Sequence, residues 1–317
     1  MTTKQGPIPS GFGAQTTARE AIGARRLDGV VAVVTGGYAG VGLETTRVLS
    51  GAGATVVVPA RTPDKARAAL AGIERVELES LDLSEPASID AFAARFIASG
   101  RPLHLLVNNA GIMATPLARD ARGFESQLAT NHLGHFQLTA RLWPALRNAG
   151  GARVVSLSSR GHARAAVDFD DPHFERRPYD KWVAYGQSKT ANALFALALD
   201  ARGEMHRVRA FSVHPGAIVT DLMRSMSEEE KSAAIERSNA VSSLKSVEQG
   251  AATSVWCATS GQLDGMGGVY CEDVDIAESA PADSTGVRGV RPWAINPEFA
   301  ERLWSKSEEW TGARFSA

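Results

Sequence analysis

Over most of this chain, apolar runs of five to seven residues alternate with longer segments whose apolar positions recur every third or fourth residue. The run from Val30 to Thr35 ("VVAVVT") precedes a helical pattern through Gly51, and Thr55 to Ala60 ("TVVVPA") precedes one near Asp64 to Ala71. "VELES" precedes "SIDAFAARFIA", and Leu103 to Asn109 ("LHLLVNN") precedes a helix from about Gly123 to Ala149. Arg153 to Ser159 ("RVVSLSS") leads to a helix carrying Tyr185, and "VRAFSVHPG" and "GGVYCE" close the series. Short continuous apolar strands separated by helices are the pattern of a parallel sheet buried on both faces. Right-handed crossovers wind such units into a doubly wound α/β sheet of three layers.

Residues 1–28 are rich in Gly, Pro, Thr and Arg, and only "TAREAIGARRL" can form a helical turn or two, so this stretch reads as an N-terminal arm. Residues 29–290 are expected to form one domain and 291–317 a C-terminal extension. The 317 residues suffice for a sizeable core, and 44% hydrophobic with 22% charged residues is the composition of an ordinary soluble protein. A net charge of −1 gives no field favouring nucleic acid or an acidic membrane surface. No apolar run has signal-peptide length or reaches the roughly 18 residues of a membrane span. The expectation is a cytoplasmic protein without nucleic-acid or membrane partners. Cys257 and Cys271 belong to no CxxC pair and read as small core residues, and no metal is expected.

The first strand runs into "TGGYAGVG", Thr35 to Gly42, and then into helical periodicity. Between a strand and a helix, glycines at 36, 40 and 42 let the backbone turn tightly and approach a pyrophosphate at the helix N-terminus. The Gly-x-x-x-Gly-x-Gly spacing after a Thr resembles the glycine motif of the short-chain dehydrogenase/reductase family, a single-domain Rossmann-type fold. Further segments resemble the family's in the same order. They are "LDLS" with Asp82 and Leu83, "NNAG" ending in Asn109, Ala110 and Gly111, and "HPGAIVT" with Pro215, Gly216 and Thr220. The resemblance covers Val30 to about Asp275 and implies cofactor contacts from these residues and from Gly36, Tyr38, Gly40, Val41 and Gly42. In such a fold the end of the second strand reads the adenosine ribose, where an acid suits NAD(H) and an Arg suits the 2′-phosphate of NADP(H). Arg61 stands there, so NADP(H) is favoured, with NAD(H) the alternative. His214 reads as a packed or solvated histidine, and His132 and His135 as structural.

In "YGQSKTANALF", Tyr185 and Lys189 are four residues apart, one helical turn or about 6 Å along a shared face. Alone, that pairing is as readily an ordinary amphipathic helix with a solvated lysine. Hydride transfer leaves a proton to be moved at oxygen, so a nicotinamide enzyme needs a positioned acid/base, and a neighbouring cation favours the phenolate of a tyrosine. The resemblance assigns Tyr185 as that acid/base and has Lys189 lower its pKa and bind the nicotinamide ribose. It assigns a strand-end serine to polarise the substrate oxygen. Adjacent strand side chains face opposite ways, so only one of Ser158 and Ser159 can serve, and the family pattern favours Ser159. Asn131 matches the family's helix-embedded Asn, whose backbone holds a water in a proton relay.

The polar and aromatic stretch 160–184 reads as a loop bordering the site. Residues 221–245, with Leu222, Met223 and Met226 at helical spacing, read as a lid over an apolar carbonyl or alcohol substrate. "NHLGHFQLT" and "YGQSKTANALF" resemble the subgroup of retinol dehydrogenases and WW-domain oxidoreductases. The resemblance implies a homodimer or homotetramer paired through the two long helices. The C-terminal "INPEFAERLWSKSEEWTG" reads as a short helix whose Trp304 and Trp310 pack on the domain or on a partner. The function read from the chain is carbonyl–alcohol interconversion. The alternatives are reduction of a conjugated carbon–carbon double bond and a dinucleotide-binding regulator without turnover.

Overall fold

A computed structural model describes residues 3–241 and 244–316. Residues 1, 2, 242, 243 and 317, which belong to the expected arm, lid and extension, lie outside the described residues. The strands are β1 (Val31–Val34), β2 (Thr55–Ala60), β3 (Val76–Ser80), β4 (Leu105–Asn108), β5 (Ala152–Leu157), β6 (Val208–His214), β7 (Val269–Glu272) and β8 (Asp275–Ile276). They form one sheet in the order β3-β2-β1-β4-β5-β6-β7-β8, parallel except for the β7–β8 hairpin. The order reverses between β1 and β4, which makes their carboxyl ends the switch point where ligands bind in such sheets.

The helices are α1 (Ala18–Ile22), α2 (Gly40–Gly51), α3 (Pro63–Leu70), α4 (Pro86–Ala98), α5 (Ser126–Leu128), α6 (Gly134–Asn148), α7 (Lys181–Gly203), α8 (Glu228–Val241), α9 (Val247–Thr259) and α10 (Pro297–Thr311). One core cluster holds α1, α2 and α9 against one sheet face, and a second holds α4, α6, α7 and α10 against the other. The alternation of apolar runs therefore led to the right layers.

The expected helix from about Gly123 to Ala149 is broken. The carboxylate of the buried Glu125 accepts from Gln127 N and Leu128 N and starts α5 at Ser126. A wider π turn then occupies Ala129–Leu133 before α6 begins.

The arm lies against the far edge of the sheet. Gln5 donates its side-chain amide to Tyr270 O at 2.9 Å, and Ile8 N and Ser10 N donate to the Asp275 carboxylate at 3.0 and 3.1 Å. At the other terminus α10 packs on α7, with the Trp304 ring centroid 5.1 Å from Phe136 and 4.5 Å from Phe315. The chain's own Leu303, Trp304 and Phe315 pack against α6 and α7. Cys257 and Cys271 are buried and free. Among the described residues, no helix is long and apolar enough to cross a membrane.

Candidate active site

The glycine turn is held open by what surrounds it. Thr35 Oγ1 accepts from the backbone N–H of Asn109 (2.9 Å) and Ala110 (3.0 Å), and Asn109 Nδ2 donates to Thr35 O at 2.8 Å, which knits the end of β1 to the end of β4. A Cβ on Gly42 would stand 2.4 Å from Asn109 Nδ2 and from Gly36 O, and Gly36 has φ +65°. Only glycine fits this closeness and that conformation. The N-cap of α2 is Ala39, with no side chain to bond the first amides. Those amides are free to meet an anion, the arrangement a dinucleotide pyrophosphate requires. The side chains of Tyr38 and Val41 pack down onto the core and support the turn from beneath.

The other expected cofactor residues gather around the same edge. Thr220 approaches the turn, since a Cβ on Gly40 would lie 3.3 Å from its methyl group. Arg61 Nε stands 4.0 Å from the Asp82 carboxylate, with both groups at the mouth of the cleft beyond β2 and β3. Leu83 is buried beneath, its carbonyl against Gly134 at the start of α6. Pro215 and Gly216 follow β6. Lys65, in the first turn of α3, pairs with Asp221 at 3.3 Å, linking α3 to the start of the expected lid.

Ser159, Tyr185, Lys189 and Asn131 converge at the ends of β4 and β5. The Asp180 carboxylate caps α7 through Trp182 N (2.7 Å) and Val183 N (2.9 Å) and fixes where the Tyr185 face points. The two serines divide as strand alternation requires. Ser158 Oγ donates to Lys189 O at 2.7 Å, while Ser159 faces the cleft and accepts from Gly161 N at 3.0 Å, on the side where the Tyr185 ring packs against Gly161. Lys189 is buried, its Nζ donating to Leu157 O at 2.9 Å and lying 5.7 Å from the Tyr185 ring centroid. The Asn131 side chain accepts from Ile112 N at 2.8 Å and donates to Ser188 Oγ at 2.9 Å, which ties the segment after "NNAG" to α7.

The electrostatics differ from the expectation in one respect. Burial pushes the Tyr185 phenol up to about 12, opposed only by the hydrogen bond to Ser159, and burial pulls the Lys189 ammonium down to about 8. Desolvation thus outweighs any pull of the cation on the phenolate. The Lys189 ammonium itself donates to the Leu157 carbonyl.

Of three histidines not assigned to the site, two join parts of it. His135 Nδ1 donates to Asn131 O at 2.9 Å, which leaves Nε2 to accept from the Thr35 hydroxyl at 2.9 Å. One lone pair of the Asn131 carbonyl, expected to hold a water, is therefore taken by this ring. His214 Nδ1 accepts from Arg160 N at 3.2 Å and joins the turns after β5 and β6. His132 remains structural, its Nε2 2.7 Å from Ser307 Oγ on α10. A fourth, His162, was not singled out in the sequence; its Nδ1 donates to Ser159 O at 2.7 Å.

A doubly wound sheet with an uncapped glycine turn and a Tyr–Lys helix at its switch point defines a dinucleotide-dependent oxidoreductase. The chain belongs to the short chain dehydrogenase family, whose family model matches residues 30–231. It is 46% identical over 289 residues to a Streptomyces lividans protein named "Probable oxidoreductase", covering 88% of this chain and 96% of that one. It is 37% identical over 304 residues to human "Retinol dehydrogenase 12", covering 92% and 89%. A solved structure of an uncharacterised Mycobacterium paratuberculosis protein superposes with a TM-score of 0.73 at 31% identity, covering 94% of this chain and 98% of that one. The chain is thus an oxidoreductase of this family with retinol dehydrogenase-like relatives, as the motifs implied, and binds a nicotinamide dinucleotide.

Proposed function

We propose that the chain is an NADP(H)-dependent oxidoreductase that interconverts a carbonyl and an alcohol, with Tyr185 as the general acid/base. The observation that carries this reading is the convergence of Ser159, Tyr185 and Lys189: the Tyr185 ring and Ser159 Oγ both crowd Gly161, and Lys189 Nζ lies 5.7 Å from the Tyr185 ring centroid. The nicotinamide supplies hydride exchange. As a carbonyl carbon gains hydride its oxygen needs a proton, and Tyr185, held up to about 12, carries one at neutral pH. Ser159 positions and polarises that oxygen, and Lys189 reaches the cofactor ribose from the same helix face. Arg61 and the neighbouring Lys65 favour the 2′-phosphate of NADP(H).

An apolar substrate suits the cluster of Met113, Ala114, Met223, Met226 and Trp182 between the expected lid and the start of α7. Lys181 pairs with Glu230 of α8 beside it and helps hold the lid down. The polyprenol or retinoid type of alcohol named for relatives is the first class to try.

The test is oxidation of NADPH and of NADH against a panel of apolar aldehydes and ketones, quinones and enones, with Tyr185→Phe as the control. Turnover on carbonyls, NADPH preferred, with a loss of about 10²- to 10⁴-fold in the folded variant, is the expected result. Unchanged turnover in Tyr185→Phe removes the assignment, and activity confined to enones transfers it to double-bond reduction.

A further inference from the structure

Beyond the ends of β5, β6 and β7 lies a cavity of ≈ 330 Å³ lined by Arg160, His214, Lys245, Glu272, Asp273 and Arg288. None of Ser159, Tyr185 and Lys189 lines it, though Gly216 of the expected cofactor segment does. Lys245, buried on the Gly216 turn, donates to Asp273 at 2.6 Å, and Arg288 approaches the same carboxylate at 3.4 Å. Glu272 accepts from Gly289 N at 2.7 Å, and burial pushes its carboxyl up, toward the neutral form. Three cations therefore face two carboxylates, one of them already shared between Lys245 and Arg288.

The surplus charge is Arg160. Its guanidinium is half-buried, yet among the described residues it makes no hydrogen bond or ion pair, and only the more distant charge of Glu272 and the Tyr270 phenol favour its charged form. A charge removed from water without a partner is costly. His214 offers a second donor. Its Nδ1 accepts from Arg160 N at 3.2 Å and Gly216 N at 3.4 Å, so the proton resides on Nε2. A planar two-oxygen anion satisfies a guanidinium through paired hydrogen bonds. Ala14, Ala217 and Val287 form apolar parts of the wall, which an organic body covers and an inorganic ion does not.

We propose that this cavity binds a small organic carboxylate, whose oxygens are held by the Arg160 guanidinium and the His214 Nε2–H, with Arg288 closing over it from the rim. The cavity adjoins the hydride-transfer centre through Gly216, but its occupancy is read by binding alone, without cofactor or turnover. A failure of the proposed reaction therefore leaves it standing, and the reverse also holds.

The experiment is calorimetric titration of the full chain with succinate, benzoate and inorganic phosphate, at ionic strength held constant with sodium chloride. Saturable one-to-one binding of succinate or benzoate is expected, weakened about 10- to 100-fold in Arg160→Gln, the worth of a charged hydrogen bond. Arg288→Gln, exposed on the rim, is expected to weaken it several-fold, and keeps the test decisive should Arg160→Gln fail to fold. Binding that neither variant weakens overturns the location. Phosphate binding as tightly as both carboxylates overturns the organic class, and no saturable carboxylate binding overturns the site.

Discussion

Replacing Lys189 with methionine should make the protein more stable while abolishing its reaction. The ammonium is buried, and its one hydrogen bond goes to Leu157 O, a carbonyl that also accepts from Asn192 Nδ2 at 2.8 Å. Removing the amine therefore leaves no buried acceptor unpaired, and methionine fills a similar length without a charge. Burial carries the amine from its usual 10.5 to about 8, a penalty on the charged form of about 3 kcal/mol at neutral pH. Allowing for imperfect packing of the new side chain, the gain is about 1–3 kcal/mol. At roughly 2 cal/mol/K of unfolding entropy per residue, this raises the Tm by about 2–4 °C. The amine's folded pKa lies below its unfolded one, so the wild type bears the whole penalty below about pH 8 and sheds it between about 8 and 10.5. Thermal and urea unfolding at pH 7 and again near pH 10 should show the advantage of Lys189→Met shrinking as pH rises. Turnover should fall by about 10²-fold or more at every pH. A variant less stable than wild type at pH 7, or a difference that stays flat with pH, refutes the reasoning.

Arg61→Asp should raise the KM for NADPH much more than that for NADH; equal increases would take Arg61 out of the phosphate site. A Cβ on Gly161 would stand 2.8 and 2.9 Å from Tyr185 Cε1 and Cδ1, so Gly161→Ala should push the phenol off Ser159 and cut kcat by about 10²-fold while the Tm changes little. Wild-type kcat in that variant would show that the tyrosine can shift freely. Trp304→Ala opens the aromatic cluster beneath α10 and should cost about 3–5 kcal/mol of unfolding free energy by urea titration. A loss under 1 kcal/mol would mean that α10 is only loosely docked.

Strand alternation and local spacing made much of the site legible. The glycine turn, the Arg61 position, "NNAG" and the Tyr185–Lys189 face are each contained in a few consecutive residues, and period two together with the family pattern separated the roles of Ser158 and Ser159. What escaped depends on partners far apart in the chain. His135 meets Thr35 across 100 positions, and a single histidine in a helix carries no local mark of that bond. The break at Glu125 was hidden because a buried carboxylate as a helix cap looks, in sequence, like a solvated charge. The tyrosine's raised pKa was equally invisible, because spacing reports that a lysine is near but not how deeply the phenol is buried. The covering of α6 and α7 by α10 could not be read either, since an aromatic-rich tail suits its own domain and a partner equally well.

The N-terminal arm also sets an order on synthesis. Gln5, Ile8 and Ser10 leave the ribosome well before the groups they bond, on Tyr270, Asp275 and Ala277, which lie 265 to 272 residues later. At about 5–20 residues per second, that separation corresponds to a wait of roughly 15–50 s. Throughout it the arm has no edge strand to join, and the rest of the sheet must nucleate without it. The last strands and the first residues therefore close the structure together. A nascent chain stalled before β7 would expose both its arm and the edge of β6, an unpaired edge of the kind that invites association with other chains.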